Sequence, residues 1–203
     1  MALLDWISPE SGLRIEGEGV ILRPPRASDF AAWRDLRTAS RDFLQPWEPT
    51  WPADDLSRAA FRRRLMAYGR DRELGLAYAF FVLRQKDEAL TGGITLSNIR
   101  RGVAQMGSIG YWCGQPFTRQ GHTVAAVRAL TLFSFRTLGL HRLEAACIPE
   151  NQPSRTLLQN AGFQEEGYAK AYLKINGDWR DHVLFGLVSP FRSLEGPDLG
   201  VSV

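Results

Sequence analysis

Cysteine and histidine are scarce in this sequence, which bears on whether it can form disulfides or a zinc site. The chain of 203 residues has two cysteines, Cys113 and Cys147, each in an apolar segment without a CxxC partner. That usage is more typical of buried free thiols in a reducing compartment than of a disulfide framework. The three histidines are scattered, so their spacing predicts no zinc site, and we expect no metal.

Long hydrophobic runs are absent as well. No apolar stretch approaches the roughly 20 residues that a membrane-spanning helix needs. Residues 1–13 lack a basic flank and carry Asp5 and Glu10, which is unlike a secretory signal. We therefore expect a soluble cytoplasmic protein that neither enters a membrane nor is exported.

Charge is nearly balanced. The chain has 25 Lys and Arg against 22 Asp and Glu, a formal net charge of +3 at pH 7. No basic stripe interleaved with aromatic residues is visible, so the sequence does not predict DNA binding. A mild positive excess suits an anionic cofactor or an acidic partner.

Size and composition favour a single domain. With 44% apolar residues, the chain can bury one substantial core and is short for two domains. We expect that domain to cover residues 1–191. Residues 192–203, which include Gly196, Pro197 and Gly200, are expected to form a flexible tail.

Hydrophobic patterning and turn residues predict an α/β fold with a mixed central sheet. Strands are predicted at 15–22, 77–84, 92–98, 105–113, 142–148, 168–175 and 179–188, and helices at 30–38, 54–70, 123–138 and 153–160. Ser28 and Asp29 are candidate N-caps for the first helix, and Asp54 is expected to open the second. Asn176-Gly177 is a strong hairpin signal. The Pro- and Trp-rich stretch 44–52 is expected to be an ordered loop.

The segment 110–126 reads as a strand, a short loop and an apolar helix. A loop that enters a helix N-terminus presents unpaired N–H groups and a positive dipole end, which together bind a phosphate or pyrophosphate. Gly121 lets the chain approach such a group closely, and Arg119 adds a positive charge. Alone, this unit is too common to establish a site.

A resemblance to the GNAT superfamily of acetyltransferases begins at this loop. The family's cofactor loop has the pattern Arg/Gln-x-x-Gly-x-Gly/Ala after the fourth strand. Residues 118–123 match it at Gly121 and depart from it at Thr118 and Thr123. The departures weaken the motif, although they matter less where backbone amides do the binding.

A second segment strengthens the resemblance. Residues 151–163 contain Asn151, Ser154 and a Gly-Phe pair, and they are similar to the Asn-x-x-Ser...Gly-Phe segment of the RimJ/RimL branch, which acetylates protein N-termini. Further matches to RimJ-type ribosomal-protein alanine acetyltransferases lie at 43–49, 97–102, 166–170 and 176–184. The resemblance thus spans residues 20–190.

The resemblance implies the GNAT fold, a mixed and mostly antiparallel central sheet flanked by helices on both faces, with acetyl-CoA as co-substrate. It implies that Asn151 contacts the pantetheine arm and that Ser154 lies near the thioester sulfur and donates to the departing thiolate. Helix physics alone also suits both residues to cap a helix start. The expected cofactor contacts are Trp112, Cys113, Arg119, Gln120, Gly121, His122, Thr123, Asn151 and Ser154.

The implied reaction is direct attack by an amine in a ternary complex. A protein α-amine has a pKa of about 8, so base catalysis need only be modest, and water is one option for the base. Glu144 is our first candidate base and would equally suit an arginine partner. Glu48 is the second, with a loop salt bridge as its stronger interpretation. We expect a backbone N–H at the end of strand 110–113 to stabilise the oxyanion, and Trp47 and Trp51 to wall the acceptor pocket.

Three functions remain open from sequence. The first is acetylation of a protein N-terminus, including that of a ribosomal protein. The second is acetylation of a small amine or antibiotic, since the fold hosts such enzymes. The third is CoA binding without catalysis. A polycationic acceptor needs an acidic pocket, and the acidic clusters are limited to Asp54-Asp55 and Glu165-Glu166. A homodimer is one option for the oligomeric state.

Overall fold

A computed structural model describes residues 12–191. Within that range the strands are β1 (Ile15–Gly17), β2 (Val20–Arg23), β3 (Tyr78–Arg84), β4 (Leu90–Arg100), β5 (Met106–Cys113), β6 (Arg142–Cys147), β7 (Gln164–Ile175) and β8 (Asp178–Val188). The helices are α1 (Phe30–Ala39), α2 (Arg41–Leu44), α3 (Arg58–Glu73), α4 (His122–Arg136) and α5 (Gln152–Asn160). The tail expected at 192–203 lies outside the described residues.

One mixed sheet organises these elements, in the order β1-β2-β3-β4-β5-β6-β8-β7. Strands β1 to β5 form an antiparallel meander, and β8 pairs antiparallel with both β6 and β7. β5 and β6 are parallel neighbours. Parallel neighbours need a crossover connection, and α4 supplies it here. The mostly antiparallel mixed sheet implied by the resemblance is confirmed.

Helices cover both faces of the sheet, as expected. Successive side chains of a strand point to opposite faces, and in β3 Phe80 and Val82 join one buried cluster while Phe81 and Leu83 join another. The first cluster lies under α4 and α5, and the second lies under α1 and α3, where Phe61 is fully buried. This two-sided burial explains why β3 is an unbroken apolar run.

The first predicted strand is in fact two strands. Where the sequence predicts one strand at 15–22, the chain folds into an antiparallel hairpin of β1 and β2 with Ile15 opposite Leu22. The turn contains Gly19 at φ 71°, a left-handed conformation that glycine adopts without strain. The apolar alternation continues across this short turn and conceals it.

Acidic residues near two helix starts bind arginines and do not cap these α-helices, although Asp29 accepts the Arg26 backbone N–H at 2.7 Å in the 3-10 turn Ala27–Asp29 before α1. The carboxylate of Asp29 accepts two hydrogen bonds of 2.7 Å from Arg23, and its side chain does not cap α1. α3 begins at Arg58 rather than at Asp54. Its cap is Ser57, whose hydroxyl accepts a backbone N–H three residues later at 3.0 Å.

The predictions for the first helix and for the last hairpin are confirmed. The helix predicted at 30–38 is α1, and the hairpin of β7 and β8 turns at Asn176 and Gly177, both with positive φ, 47° and 96°. The stretch 44–52 begins with a 3-10 turn at Gln45–Trp47, where Pro46 occupies a first-turn position that needs no N–H donor. No helix among residues 12–191 has the length and apolar character to cross a membrane.

Candidate active site

The parallel strands at the centre of the sheet separate into a wedge. β5 and β6 pair over three residue pairs, the last joining Ser108 to Glu144. β5 then continues to Cys113 paired with β4 alone, and β6 continues to Cys147 paired with β8 alone. The space between their carboxyl halves, here called the wedge, opens toward the starts of α4 and α5. Crevices at the carboxyl ends of parallel strands commonly bind ligands in open α/β sheets.

The start of α4 has the geometry of an anion-binding loop. Gly121 precedes the helix at φ 81°, and Arg119 also has a positive φ of 60°. The first backbone bond of the helix runs from the Ala125 N–H to the Gly121 carbonyl at 3.1 Å. The N–H groups that precede Ala125 in the helix therefore have no intrahelical acceptor. With the positive end of the helix dipole, they suit phosphate oxygens.

Side chains of this loop stabilise its shape. The Thr118 hydroxyl and the Gln120 amide each donate to a backbone carbonyl of the same segment at 2.9 Å. The side chain of Gln120 thus holds the loop, which leaves its backbone as the better candidate to face a phosphate. Burial, with help from the charges of Arg84 and Lys86, lowers the pKa of His122, so its imidazole is neutral at neutral pH.

The end of β5 places Trp112 on the α1 face. Its indole packs beside Gly93, where a Cβ would collide with it, and the Arg37 guanidinium lies 5.0 Å from its ring centroid. The next residue, Cys113, is half-buried. Burial raises the pKa of its thiol, and the nearby Thr123 hydroxyl opposes that rise. A protonated thiol is a poor nucleophile, so Cys113 is a poor candidate for covalent chemistry. The backbone of Trp112 and Cys113 belongs to the part of β5 that borders the wedge, and their contact with the cofactor stays a prediction.

The start of α5 forms the other wall of the wedge, and Asn151 caps it. The side-chain oxygen of Asn151 accepts the backbone N–H of Ser154 at 3.1 Å, which confirms the capping role expected from helix physics. The Ser154 hydroxyl lies 2.8 Å from the phenol oxygen of Tyr111 on β5. One side-chain hydrogen bond therefore joins the two walls.

Sequence reasoning missed Tyr111. Its ring packs against the core cluster under α4, and burial raises the pKa of its phenol while the Ser154 hydroxyl only partly opposes that rise. The phenol is therefore protonated at neutral pH. An aromatic residue in an apolar strand looks like ordinary core packing. Only the register of β5, which runs past its last pair with β6, reveals that Tyr111 borders the wedge.

Glu144 lies on the face of the sheet opposite α5. In β6 the side chains of Leu143, Ala145 and Cys147 are buried in the cluster under α4 and α5, so Glu144 points the other way. The Arg142 guanidinium donates to its carboxylate at 3.1 Å. Glu144 therefore has the arginine partner that was its alternative interpretation, and its role as a base stays a prediction.

Arg142 binds a second carboxylate on the same face. It donates to Glu166 of β7 as well as to Glu144. Both acidic partners raise the pKa of the Arg142 guanidinium, and the hydrogen bond with Glu166 has the larger effect. Glu144 belongs to an ion-pair network, at the level where β5 and β6 make their last pair.

Glu48 forms the loop salt bridge that sequence reasoning favoured for it. Arg37 of α1 donates to both of its carboxylate oxygens at 2.7 Å, and the Trp51 indole N–H donates to one of them at 2.7 Å. The Arg37 guanidinium also stacks on Trp51, 4.0 Å from the ring centroid. With its oxygens committed to these donors, Glu48 is a poor base.

The hairpin of β7 and β8 reaches the same loop. Its turn residue Asn176 donates its backbone N–H to the Glu48 carbonyl at 2.9 Å, and Gly177 lies beside Thr50. The stretch 45–52 is thereby fixed between α1 on one side and the hairpin tip on the other. Trp47 and Trp51 belong to this stretch. Their expected role as walls of an acceptor pocket stays a prediction.

Metal-binding geometry is absent from the described range. Among residues 12–191, no three His, Cys, Asp or Glu side chains lie close enough together to hold a metal ion. Cys147, at the end of β6, is 6% exposed, and burial raises the pKa of its thiol. Both properties favour a packing role for this cysteine.

Comparison with known sequences identifies what these elements resemble. Residues 20–164 match the family described as "Acetyltransferase (GNAT) domain". The "[Ribosomal protein uS5]-alanine N-acetyltransferase" of Escherichia coli (strain K12) is 35% identical over 164 residues, which cover 80% of this chain and 84% of the relative. The "Probable N-acetyltransferase YjcK" of Bacillus subtilis (strain 168) is 31% identical over 176 residues, covering 87% of this chain and 97% of the relative.

Solved structures show the same similarity. "Mycobacterium smegmatis RimJ in complex with CoA-disulfide" superposes with a TM-score of 0.81 at 32% sequence identity. The superposition covers 87% of this chain and 86% of that one. That relative is in complex with CoA-disulfide, and it shares the fold on which the wedge and the starts of α4 and α5 are built.

Proposed function

Since this chain belongs to the GNAT family of acetyltransferases and is an N-acetyltransferase of the RimJ type, we propose that it transfers an acetyl group from acetyl-CoA to the α-amine of a protein N-terminus. A ribosomal protein is the favoured acceptor. The observation that carries the proposal is the wedge, with an anion-binding helix start at one wall and the linked pair Tyr111 and Ser154 across it.

The wedge suits the shape of acetyl-CoA. A pantetheine arm is extended and carries amides, so it can lie along the free edge of β5 and place its sulfur near Ser154. The pyrophosphate would then bind the N–H groups at the start of α4, beside Arg119 and Gly121. In this arrangement Asn151 serves both as the cap of α5 and as a contact for the arm.

The proposed chemistry is direct attack in a ternary complex. The neutral amine attacks the thioester carbonyl, a C–N bond forms, and the tetrahedral oxyanion accepts a backbone N–H at the end of β5. When the C–S bond breaks, the Ser154 hydroxyl donates a hydrogen bond to the CoA thiolate. The surplus proton of the amine passes to water or, on the α1 face, to Glu144.

Charge compensation among the acidic clusters favours a protein N-terminus over a polyamine as the acceptor. The carboxylate pairs available to a polycation are already bound: Asp54 and Asp55 lie within 2.6 Å of Arg63 and Arg64. Glu165 and Glu166 pair with Arg155 and Arg142 in the same way. A singly charged amine, which loses its proton before it reacts, requires no acidic pocket.

The name of the E. coli relative supports the choice of acceptor. That protein is a ribosomal protein uS5-alanine N-acetyltransferase, and 84% of its length aligns with this chain. An N-terminal alanine is therefore the first acceptor residue to test, with serine and methionine as comparisons.

Mass spectrometry of a peptide panel tests the proposal. Free N-terminal Ala, Ser and Met peptides, including the first residues of uS5, are incubated with the protein and acetyl-CoA beside N-blocked lysine-bearing peptides and spermidine. We expect a gain of one acetyl group on the free N-terminal peptides and loss of that gain in Ser154→Ala. Acetylation of spermidine or a lysine side chain alone would overturn the proposed acceptor. CoA binding without any acetylation would favour an unidentified small amine.

A further inference from the structure

The hydrogen bond between Tyr111 and Ser154 connects β5 to α5, two elements that no strand pairing joins at this level of the sheet. Tyr111 lies on β5 three residues beyond the last pair with β6, and Ser154 lies in the first turn of α5, which follows β6. Their oxygens are 2.8 Å apart. This hydrogen bond therefore links β5 to the start of α5 across the wedge.

The direction of this bond follows from the chemistry of the two groups. A phenol is a stronger acid than an aliphatic alcohol, so the Tyr111 O–H is the better donor and the Ser154 oxygen the better acceptor. Burial keeps the phenol protonated by raising its pKa. If Tyr111 donates, the single proton of Ser154 is not used in this hydrogen bond and stays available for another acceptor. The Cys147 thiol is a neighbouring group that competes for it, since the Ser154 side chain acts to lower the pKa of that thiol against the effect of burial.

The Ser154 side chain is also constrained through its backbone. The Ser154 backbone is held by Asn151, which accepts its N–H at 3.1 Å, so the serine cannot rotate as part of a mobile turn. We propose that Tyr111 is a positioning residue which, by donating to Ser154, aims the serine hydroxyl at the departing CoA sulfur. The inference rests on the proposed function, in which Ser154 assists the leaving thiolate.

A purely structural role for the Tyr111 hydroxyl is the competing explanation. The phenol ring packs in the core cluster together with Tyr78 of β3, whose ring contacts Phe133 edge-on at 5.7 Å. Tyr78 lies on a strand away from the wedge and offers a matched control. Removing either hydroxyl leaves the ring in place, so Tyr111→Phe and Tyr78→Phe should both fold. Thermal unfolding confirms this before any assay.

A double-mutant cycle tests whether Tyr111 acts through Ser154. With the best acceptor of the peptide panel, Ser154→Ala is expected to lower kcat by about 100-fold, the scale of a positioned proton donor. Tyr111→Phe should lower kcat by about 5- to 10-fold, the scale of one hydrogen bond, with the KM for acetyl-CoA unchanged. Tyr78→Phe should leave kcat unchanged. Because Tyr111 acts only through Ser154, the double variant should be as active as Ser154→Ala alone.

Two kinetic results would overturn the inference. One is a Tyr111→Phe kcat equal to that of the wild type. The other is a Tyr111→Phe penalty that persists in the Ser154→Ala background, which would mean that the phenol acts independently of the serine. Absence of wild-type activity on every amine would instead count against the proposed acceptor, and the wild-type control in each assay separates that case.

Titration of the thiol of bound CoA tests the same positioning role of Tyr111 without an acceptor. A hydroxyl aimed at the sulfur stabilises the thiolate and lowers the pKa of the bound CoA thiol, which the ultraviolet absorbance of the thiolate reports. In Tyr111→Phe we expect that pKa to be higher than in the wild type by about 0.5 to 1, the free-energy equivalent of a weakened hydrogen bond. Identical titrations in the two proteins would refute the positioning role.

Discussion

Replacing Arg37, which is buried, should destabilise the protein more than replacing an exposed arginine of the same helix. Its side chain is 8% exposed, and its partner Glu48 is 19% exposed. Arg37→Ala leaves that carboxylate half-desolvated with one remaining donor, Trp51. Breaking a buried ion pair from one side costs about 3 to 5 kcal/mol. Because Glu48 keeps some contact with water, we expect the lower end, about 3 kcal/mol.

Arg34 supplies a matched control on the same helix. It also pairs with a neighbouring carboxylate and lies over a ring, that of Phe30 at 5.5 Å, but its side chain is 48% exposed. Exposed ion pairs and cation–π contacts contribute about 1 kcal/mol or less. Arg34→Ala should therefore cost no more than about 1 kcal/mol.

Urea unfolding and thermal unfolding measure the difference. For a domain of this size a loss of 1 kcal/mol lowers Tm by about 2 to 4 °C, so Arg37→Ala should lower it by about 6 to 12 °C. If the cost arises from the stranded carboxylate, Glu48→Gln should restore part of the stability in the Arg37→Ala background. Equal effects of the two arginine variants, or no rescue by Glu48→Gln, would refute the reasoning.

Three further predictions follow from the starts of α4 and α5. Gly121→Ala places a side chain at φ 81° and should raise the KM for acetyl-CoA about 5- to 10-fold, from strain of about 1 to 2 kcal/mol, whereas Gly139→Ala at φ 65° should lower stability alone. Asn151→Ala and Ser57→Ala each remove an N-cap and should cost about 1 kcal/mol in urea unfolding, but only the first should raise the KM for acetyl-CoA. The lowered pKa of His122 means that the unfolded chain binds its proton first, so unfolding free energy should fall as pH drops below 6.5, and His122→Asn should flatten that fall.

Much of the fold was predictable because most of its elements carry local signals. The buried β3 is a continuous apolar run, the Asn176-Gly177 turn is encoded by its own two residues, and α4 ends before Gly139 at φ 65°. The β1–β2 turn was not predicted because the alternation of apolar and polar residues continues through it. The start of α3 was predicted wrongly because two carboxylates look like N-caps in the sequence. In the structure Asp54 and Asp55 bind arginines of the same helix instead.

The candidate site was predictable only in part, for a different reason. Gly121 and Asn151 have roles set by the backbone next to them, and their placement at two helix starts follows from sequence. Tyr111 and the Arg37–Glu48 pair depend on which segments meet in space. Their partners lie on other elements, and no local pattern distinguishes a buried tyrosine that faces a ligand from one that faces the core.

Chain synthesis gives a further meaning to the hydrogen bond between the Asn176 N–H and the Glu48 carbonyl. Its two ends lie in distant parts of the sequence. Contacts between distant segments form late, because the entropy of closing the intervening chain must be overcome first. The Trp-rich loop is made early but gains this backbone partner last. A nascent chain therefore completes this contact only once β7 and β8 have been synthesised and have joined the sheet.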